Sequence, residues 1–158
     1  MELKLTRLFV FPATALMLSC LSGRPVAASG EPSPEGRALG TFSITSQTFG
    51  NLTLTPAACA SGGLQFFLGG DLSAPDTPVV LRLVVDPLDG PAVRLYSFEA
   101  PFDKTVVFRR SDCAVFHFSL DDTGWRVNDV HDYRLTLQVE CARDGESLRG
   151  SASSTHCH

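Results

Sequence analysis

The strongest constraint on the fold is a period-two alternation near the C-terminus. Residues 133–141 read YRLTLQVEC, with apolar or aromatic side chains at the odd positions and polar side chains at the even positions. Successive side chains of a β-strand point to opposite faces, so this pattern predicts a strand with one buried and one solvated face. No ten-residue stretch of the chain carries a comparable helical period. We therefore expect strands to build the core.

Short β-type runs continue from Thr41 onward, and turn sequences separate them. Residues 79–85 read VVLRLVV, which is typical of a central strand with apolar contacts on both faces. The turns combine glycine, proline and aspartate. They are Gly69-Gly70-Asp71, Asp86-Pro87, Asp89-Gly90-Pro91, Asp121-Asp122-Thr123-Gly124 and Asp144-Gly145. About eight or nine short strands with such spacing predict an all-β protein, either an antiparallel β-sandwich or a small barrel.

The composition limits the class of protein further. The 158 residues are 44% apolar and 19% charged, a balance typical of one globular domain with a core. The formal net charge of −4 argues against a nucleic-acid partner, which requires a basic face. The sequence contains no Gly-x-Ser-x-Gly nucleophile motif and no phosphate-binding glycine loop. We expect no cofactor.

Residues 1–19 have the layout of a secretory signal peptide. Lys4 and Arg7 precede an uncharged apolar run from Leu8 to Leu18. This run is shorter than the roughly 20 residues of a membrane-spanning helix, but it has the length of the apolar part of a signal peptide. The mature chain is therefore expected to lie outside the cytoplasm.

Two cleavage sites compete at the end of this segment. Residues 16–20 (LMLSC) resemble a bacterial lipobox, which implies a lipid attached to Cys20 as the new first residue. Residues 26–28 (VAA) resemble an ordinary signal-peptidase site, which implies a diffusible protein that begins at Ser29. We favour the lipobox because it directly follows the apolar run. By the same resemblance, Leu21 in place of an aspartate points to the outer membrane of a Gram-negative cell.

Residues 20–40 are expected to form a lipid-anchored flexible tether, and residues 41–158 the folded domain. The segment after Cys20 is rich in glycine, proline, serine and alanine, and it contains no aromatic residue. Such a segment has little to bury. About twenty residues of this kind span roughly 25 Å, enough to hold a domain clear of a lipid surface.

The cysteine count favours a modified Cys20. Five cysteines are an odd number for a secreted chain, and removal or lipidation of Cys20 leaves an even set. We expect that set to form two disulfides in an oxidising compartment. Its members are Cys59, Cys113, Cys141 and Cys157.

A hairpin at Asp144-Gly145 limits the disulfide pairing. It places Cys141 opposite Leu148, and the strand then carries Cys157 roughly 30 Å away, too far for a bridge between these two cysteines. Two pairings remain, Cys59–Cys141 with Cys113–Cys157, or Cys59–Cys157 with Cys113–Cys141. We favour the first set, because a second hairpin at Asp121–Gly124 would bring Cys113 towards the end of the last strand, where Cys157 lies.

Exposed turn residues are the candidate partner-binding site. Asp71 lies in the predicted loop from Gly69 to Pro78, and Asp121, Asp122 and Trp125 lie in the predicted hairpin. An exposed tryptophan serves as a binding anchor. The more common alternative is a tryptophan that caps one end of a β-core. The expected partner is an envelope protein or a polysaccharide.

Two clusters raise the question of a metal, and neither predicts a site. His156 and His158 flank Cys157, but that cysteine is needed for a disulfide, and a disulfide sulfur is a poor ligand. A separate pair, His117 and Ser119, is a candidate for catalysis and not for a metal. The two residues share a strand face, which is common on β-sheets and does not by itself indicate catalysis. An acidic group matches no calcium-binding loop and is typical of β-turns. Its members are Asp121, Asp122, Asn128, Asp129 and Asp132.

The C-terminal part of the chain carries a family resemblance. Residues 135–141 (LTLQVEC), Gly145, residues 148–150 (LRG) and the final Cys157-His158 are similar to the C-terminal half of small uncharacterised bacterial cell-envelope lipoproteins. The resemblance implies a disulfide-tied β-domain on a lipid tether. It carries no activity with it.

These features together predict a non-enzymatic lipoprotein of the bacterial cell envelope, a binding or structural module displayed on a lipid tether. One alternative is a secreted inhibitor or effector cleaved after Ala28. The other is a small metal-binding protein or hydrolase that uses His117 or the two C-terminal histidines.

Overall fold

Ten β-strands account for most of the described residues, which are 36–101 and 104–158 of this computed structural model. The strands are β1 (Ala38–Ser46), β2 (Gly50–Leu54), β3 (Ala58–Ser61), β4 (Gly69–Ser73), β5 (Val79–Asp86), β6 (Gly90–Ser97), β7 (Val106–Arg109), β8 (Cys113–Val127), β9 (Val130–Arg143) and β10 (Glu146–Cys157). Short 3-10 helices span Gly62–Gln65 and Arg110–Asp112. Within the described ranges, no helix has the length and apolar character needed to cross a membrane.

The strands form two antiparallel five-stranded sheets that pack as a β-sandwich. Sheet A has the order β3-β4-β5-β6-β7, and sheet B has the order β2-β1-β10-β9-β8. The predicted all-β class is confirmed, and the sandwich is the form adopted.

The strand β9 of sheet B reaches both edges of sheet A. At the start of β9, Val130 contacts Gly63, which follows the edge strand β3. At the end of β9, the guanidinium of Arg143 donates to the carbonyl oxygen of Val107 in the opposite edge strand β7, at 3.3 Å. β9 therefore extends from one edge of sheet A to the other.

The core lies between the sheets and takes one side of each strand. In β9, Leu135, Leu137 and Val139 are at most 2% exposed, while the polar residues between them face solvent. The predicted alternation is confirmed. Residues 79–84 of β5 are buried on both sides of the strand except at Arg82, as expected for a central strand. The largest fully buried side chains are Phe42, Phe108, Leu54, Leu72, Leu81, Leu83, Leu95, Leu135, Leu137 and Leu148, followed by Val93 and Val139.

One of the two predicted C-terminal hairpins is confirmed. The Asp144-Gly145 turn sets Cys141 opposite Leu148. The hairpin predicted at Asp121–Gly124 is wrong, because β8 continues through these residues and turns at Asn128-Asp129. Those two turn residues have φ angles of 50° and 64°. A two-residue type I′ turn requires such left-handed conformations, which asparagine and aspartate accept more readily than most residues.

The position of this turn decides the disulfide pairing. Because β8 and β9 pair around Asn128-Asp129, Cys113 lies opposite Cys141, and the two are bonded. Cys157 at the end of β10 reaches sheet A and is bonded to Cys59. The favoured pairing of Cys59 with Cys141 and of Cys113 with Cys157 is therefore wrong, and the other predicted pairing is formed. The error follows from the misplaced turn.

The described chain is fixed to sheet A from its first residue. The carbonyl oxygen of Gly36 accepts the N–H of Cys59 at 2.8 Å, and the N–H of Ala38 donates to Ala57 at 3.3 Å. β1 begins at Ala38, so three residues assigned to the tether, 38–40, belong to sheet B. The predicted signal peptide, Cys20 and most of the predicted tether lie outside the described residues.

Candidate functional site

A β-bulge near the end of β8 shapes the candidate site. Between Asp122 and Arg126 the register with β9 shifts, so β8 carries extra residues in this stretch. The Oδ1 atom of Asp122 accepts the N–H of Gly124 at 2.8 Å, and Gly124 has a φ of 80°, a conformation that favours glycine. Bulges re-aim side chains. This bulge presents Trp125, which is 73% exposed.

Trp125 lines a pocket of about 330 Å³ on the solvent face of sheet B. The lining residues come from β8, β9 and β10. They are Asp121, Asp122, Thr123, Trp125, Arg134, Thr155 and His156. Asp121 lies opposite Arg134 in the register, so a carboxylate and a guanidinium group belong to adjacent strands of the pocket floor. The pocket thus combines one large aromatic side chain with several polar groups.

A buried carboxylate positions the imidazole of His156. The Oδ2 atom of Asp132 lies 2.8 Å from Nδ1 of His156 and accepts the hydroxyl of Thr123 at 2.8 Å. Its Oδ1 atom accepts the N–H of Cys157 at 2.9 Å and lies 3.4 Å from Nδ1 of His158. Asp132 is 1% exposed. These contacts fix the end of β10 against β9 and against the bulge of β8.

The partners of Asp132 keep its carboxyl group ionised. Burial raises the pKa, but the hydrogen bonds from His156, Thr123 and the N–H of Cys157 outweigh burial, and the pKa of Asp132 lies below its ordinary value. Because Asp132 engages Nδ1 of His156, Nε2 is the ring nitrogen left for a ligand in the pocket.

The pocket carries charges of both signs. The pKa of Asp122 is lowered, first by the N–H of Gly124 and then by His131, whose Nδ1 lies 2.7 Å from Oδ2 of Asp122. Asp121 adds a second carboxyl group, and Arg134 supplies a guanidinium. This mixture suits an uncharged polar ligand better than a polyanion or a polycation.

The structure brings three of the four predicted partner-binding residues together. Asp121, Asp122 and Trp125 line the same pocket. Sequence reasoning missed the pair formed by Asp132 and His156. The spacing of the two C-terminal histidines places both rings on one side of an extended segment, but their shared carboxylate lies 24 positions before His156. No local pattern reveals that distance.

The prediction that Asp71, the fourth candidate partner-binding residue, lies in an exposed loop is wrong. Asp71 lies in β4 and is 6% exposed. Its two carboxylate oxygens accept hydrogen bonds from Arg82, and one of them also accepts the hydroxyl of Tyr96 at 2.8 Å. Gly69 and Gly70 belong to β4 and do not form a turn. Gly70 allows close packing, because a Cβ at this position would lie 2.8 Å from Sγ of Cys157.

The other candidates from the sequence lie apart from this pocket or are already bonded. His117 is exposed on β8, and the hydroxyl of Ser119 is hydrogen-bonded to Thr136 at 2.8 Å. The sulfur of Cys157 is held in a disulfide. Among residues 36–101 and 104–158, no group of three or more His, Cys, Asp or Glu side chains is arranged to hold a metal ion.

The arrangement around Trp125 is chemically suited to a polyhydroxylated ligand. An indole ring offers a flat apolar surface for the CH face of a sugar, and carboxylate, guanidinium and imidazole groups supply acceptors and donors for its hydroxyl groups. No protein-family model, no curated protein and no solved structure matches the chain.

Proposed function

We propose that the chain is a non-enzymatic binding module of the bacterial cell envelope, anchored to the membrane by a lipid on Cys20, and that the Trp125 pocket binds an uncharged polysaccharide. One observation carries the ligand class. Trp125 is 73% exposed and lines a pocket together with two carboxylates, a guanidinium and an imidazole. An exposed aromatic anchor ringed by polar groups is typical of a recognition site.

Three features support the envelope location. The two disulfides favour an oxidising compartment. Residues 1–19 have the layout of a signal peptide, and residues 16–20 resemble a lipobox. Leu21 after Cys20 favours the outer membrane over the inner membrane in a Gram-negative cell.

The hydrogen bonds around His156 support binding over catalysis at this site. Nδ1 of His156 is paired with Asp132, and the nearby hydroxyl of Ser154 donates to the backbone oxygen of His156 instead of to its ring. A nucleophilic mechanism needs a hydroxyl or thiol activated by the ring of such a base. The four cysteines in the described residues are all bonded in disulfides.

Fluorescence of Trp125 tests the ligand class directly, because it is the single tryptophan. Titration with chitohexaose and cellohexaose is expected to change its emission in a saturable way with at least one of the two. Trp125→Ala is expected to weaken binding at least tenfold in calorimetry, about 1.4 kcal/mol. Phe98→Ala removes another exposed aromatic ring outside the pocket and serves as the matched control.

Three results would contradict the ligand class. They are binding of neither oligosaccharide, equal losses in the Trp125→Ala and Phe98→Ala variants, and capture of a protein at the pocket in place of a sugar. Each variant is first compared with the parent by urea unfolding, so that a loss of affinity is not confused with a loss of fold.

The anchor is tested by the intact mass of the mature protein from its host. The proposal predicts a first residue at Cys20 with added acyl mass. An unlipidated start at Ser29 would contradict the anchor and favour a diffusible inhibitor or effector.

A further inference from the structure

The backbone holds Phe66 out in the solvent. This residue follows the 3-10 helix Gly62–Gln65, its φ is 59°, and it is 98% exposed. The left-handed conformation is strained for a bulky side chain. The N–H of Phe66 donates to Gly63 at 3.3 Å, and the N–H of Phe67 donates to Gly62 at 3.1 Å. The loop therefore maintains the strained conformation with its own hydrogen bonds.

Phe67 anchors the same loop to sheet A. Its ring lies 4.3 Å from the guanidinium carbon of Arg82, which is paired with the buried Asp71. Arg82 also donates a hydrogen bond to Gln65 in the 3-10 helix. Of the two adjacent phenylalanines, one is thus packed on sheet A, and Phe66 is presented to the outside.

A second large apolar side chain is presented beside this loop. Leu88, in the turn between β5 and β6, is 94% exposed. The Oδ1 atom of Asp86 accepts the N–H of Leu88 at 2.8 Å, which fixes the turn. The turn adjoins the loop, because the N–H of Val85 donates to Leu68 at 2.7 Å, and Leu68 is itself 48% exposed. We call these three exposed side chains the apolar tip: Phe66, Leu68 and Leu88.

We propose that the apolar tip inserts into the surface of a lipid bilayer. This inference rests on the proposed function in one respect, since the lipid on Cys20 brings the domain to the membrane. The undescribed N-terminal segment joins the domain at Gly36, which is hydrogen-bonded to Cys59 in β3. β3 leads directly into the 3-10 helix that precedes Phe66. The attachment point at Gly36 is therefore linked to the apolar tip through β3 and the 3-10 helix.

A bilayer fits the tip better than a protein partner does. Residues that anchor a protein interface lie at a packed centre surrounded by contacts that exclude water. The bilayer interface, in contrast, takes up Phe and Leu side chains of peripheral segments at the boundary between headgroups and acyl chains. Asp86 and Asp89 flank Leu88, so uncharged lipid is favoured over anionic lipid. The flexible tether predicted from the sequence would span about 21 Å over residues 21–35. A lipid on Cys20 would then keep the tip at a high effective concentration near the bilayer, so that even a weak insertion is populated.

Insertion is tested with the full mature chain, purified from its host, in a Trp125→Phe background. Phe66→Trp then places the single tryptophan on the apolar tip. Phe98→Trp places it at the other end of β6, where the native side chain is 74% exposed, and is the matched control. Each protein is mixed with phosphatidylcholine vesicles, with and without bromine on the acyl chains. Leu88→Trp is a second reporter on the tip if Phe66→Trp disturbs its loop.

We expect the emission at position 66 to shift to the blue and to be quenched by the brominated lipid, and the emission at position 98 to show neither change. If the tryptophans introduced at positions 66 and 88 are not quenched on an acylated chain, the insertion is overturned and the lipid anchor stands. Quenching at position 66 on a chain without acyl mass would overturn the anchor and leave the insertion standing. Equal quenching at positions 66 and 98 would also overturn insertion by the tip.

Discussion

Asp71 and Arg82 form a two-pronged ion pair on adjacent strands of sheet A. The Nε and Nη2 atoms of Arg82 each lie 2.7 Å from a different carboxylate oxygen of Asp71. The rings of Phe67 and Tyr96 lie 4.3 and 4.8 Å from the guanidinium carbon. The hydrogen bond to Asp71 raises the pKa of Arg82, and burial, with Asp71, raises that of Tyr96. This group covers the side of sheet A that faces away from the core.

Arg82→Met is expected to lower the free energy of unfolding by about 3–5 kcal/mol, because it leaves the carboxylate of Asp71 buried without its cation. The two side chains of the pair are only 20% and 8% exposed. Urea unfolding at neutral pH measures the loss. The matched control is Arg149→Met, which removes an exposed partner 3.9 Å from Glu140 and is expected to change stability by at most about 0.5 kcal/mol. Equal losses in the two variants would contradict this assignment.

The two disulfides are expected to differ in their contribution to stability. Cys59–Cys157 joins residues 98 positions apart, and Cys113–Cys141 joins residues 28 positions apart. Loop-closure entropy assigns about 4.7 kcal/mol to a loop of 100 residues and about 3 kcal/mol to one of 15. Replacing both members of the first pair with alanine should therefore cost more in urea unfolding than replacing both members of the second. Peptide masses from a non-reducing digest check the pairing itself, and a Cys59–Cys141 peptide would contradict it.

The stabilising effect of Asp132 is expected to depend on pH. Its pKa is lowered in the folded state, so its contribution is complete above the unfolded-state value of about 3.8 and is lost as the pH falls through the lower folded-state value. Asp132→Asn should make the acid limb of the stability profile less steep. It should also cost about 1–3 kcal/mol at neutral pH, because charge-assisted hydrogen bonds to His156 and Cys157 are weakened. Unfolding measured by circular dichroism across the acid range tests both effects, and an unchanged acid limb would contradict the role of Asp132.

The sequence predicted those parts of the fold that depend on neighbouring residues. The alternation of residues 133–141 and the Asp144-Gly145 turn are local patterns, and both are present as predicted. The error at Asp121–Gly124 arose because two turn sequences lie close together before β9. The carboxylate of Asp122 bonds within the strand to Gly124, so this sequence forms a bulge, and Asn128-Asp129 forms the turn.

Contacts between residues that are distant in the chain could not be predicted from the sequence. Asp71 pairs with Arg82, 11 positions away, and Asp132 pairs with His156, 24 positions away. Each pair is set by which strands become neighbours, and that order follows from the whole sheet topology. The turn composition around Asp71 predicted exposure, whereas the small size of Gly70 instead serves close packing against a disulfide.

Alanine substitutions at Gly124 and Gly90 allow the cost of backbone strain to be distinguished from an effect on ligand binding. Gly124 and Gly90 have φ angles of 80° and 76°, and a Cβ at either position would meet no atom within 4 Å. Alanine at either position is therefore expected to cost a similar amount, about 1–2 kcal/mol, from the left-handed conformation alone. Urea unfolding of Gly124→Ala and Gly90→Ala measures this cost.

Only one of these two substitutions is expected to affect the pocket. Gly124 precedes Trp125 in the bulge, so relaxation of its φ moves the indole ring relative to Asp121 and Arg134. Gly90 is the first residue of β6 in the other sheet. Gly124→Ala should therefore weaken the binding of an oligosaccharide that the parent binds, while Gly90→Ala keeps the parent affinity at a similar loss of stability. Equal affinity in both variants would mean that the bulge does not set the geometry of the pocket.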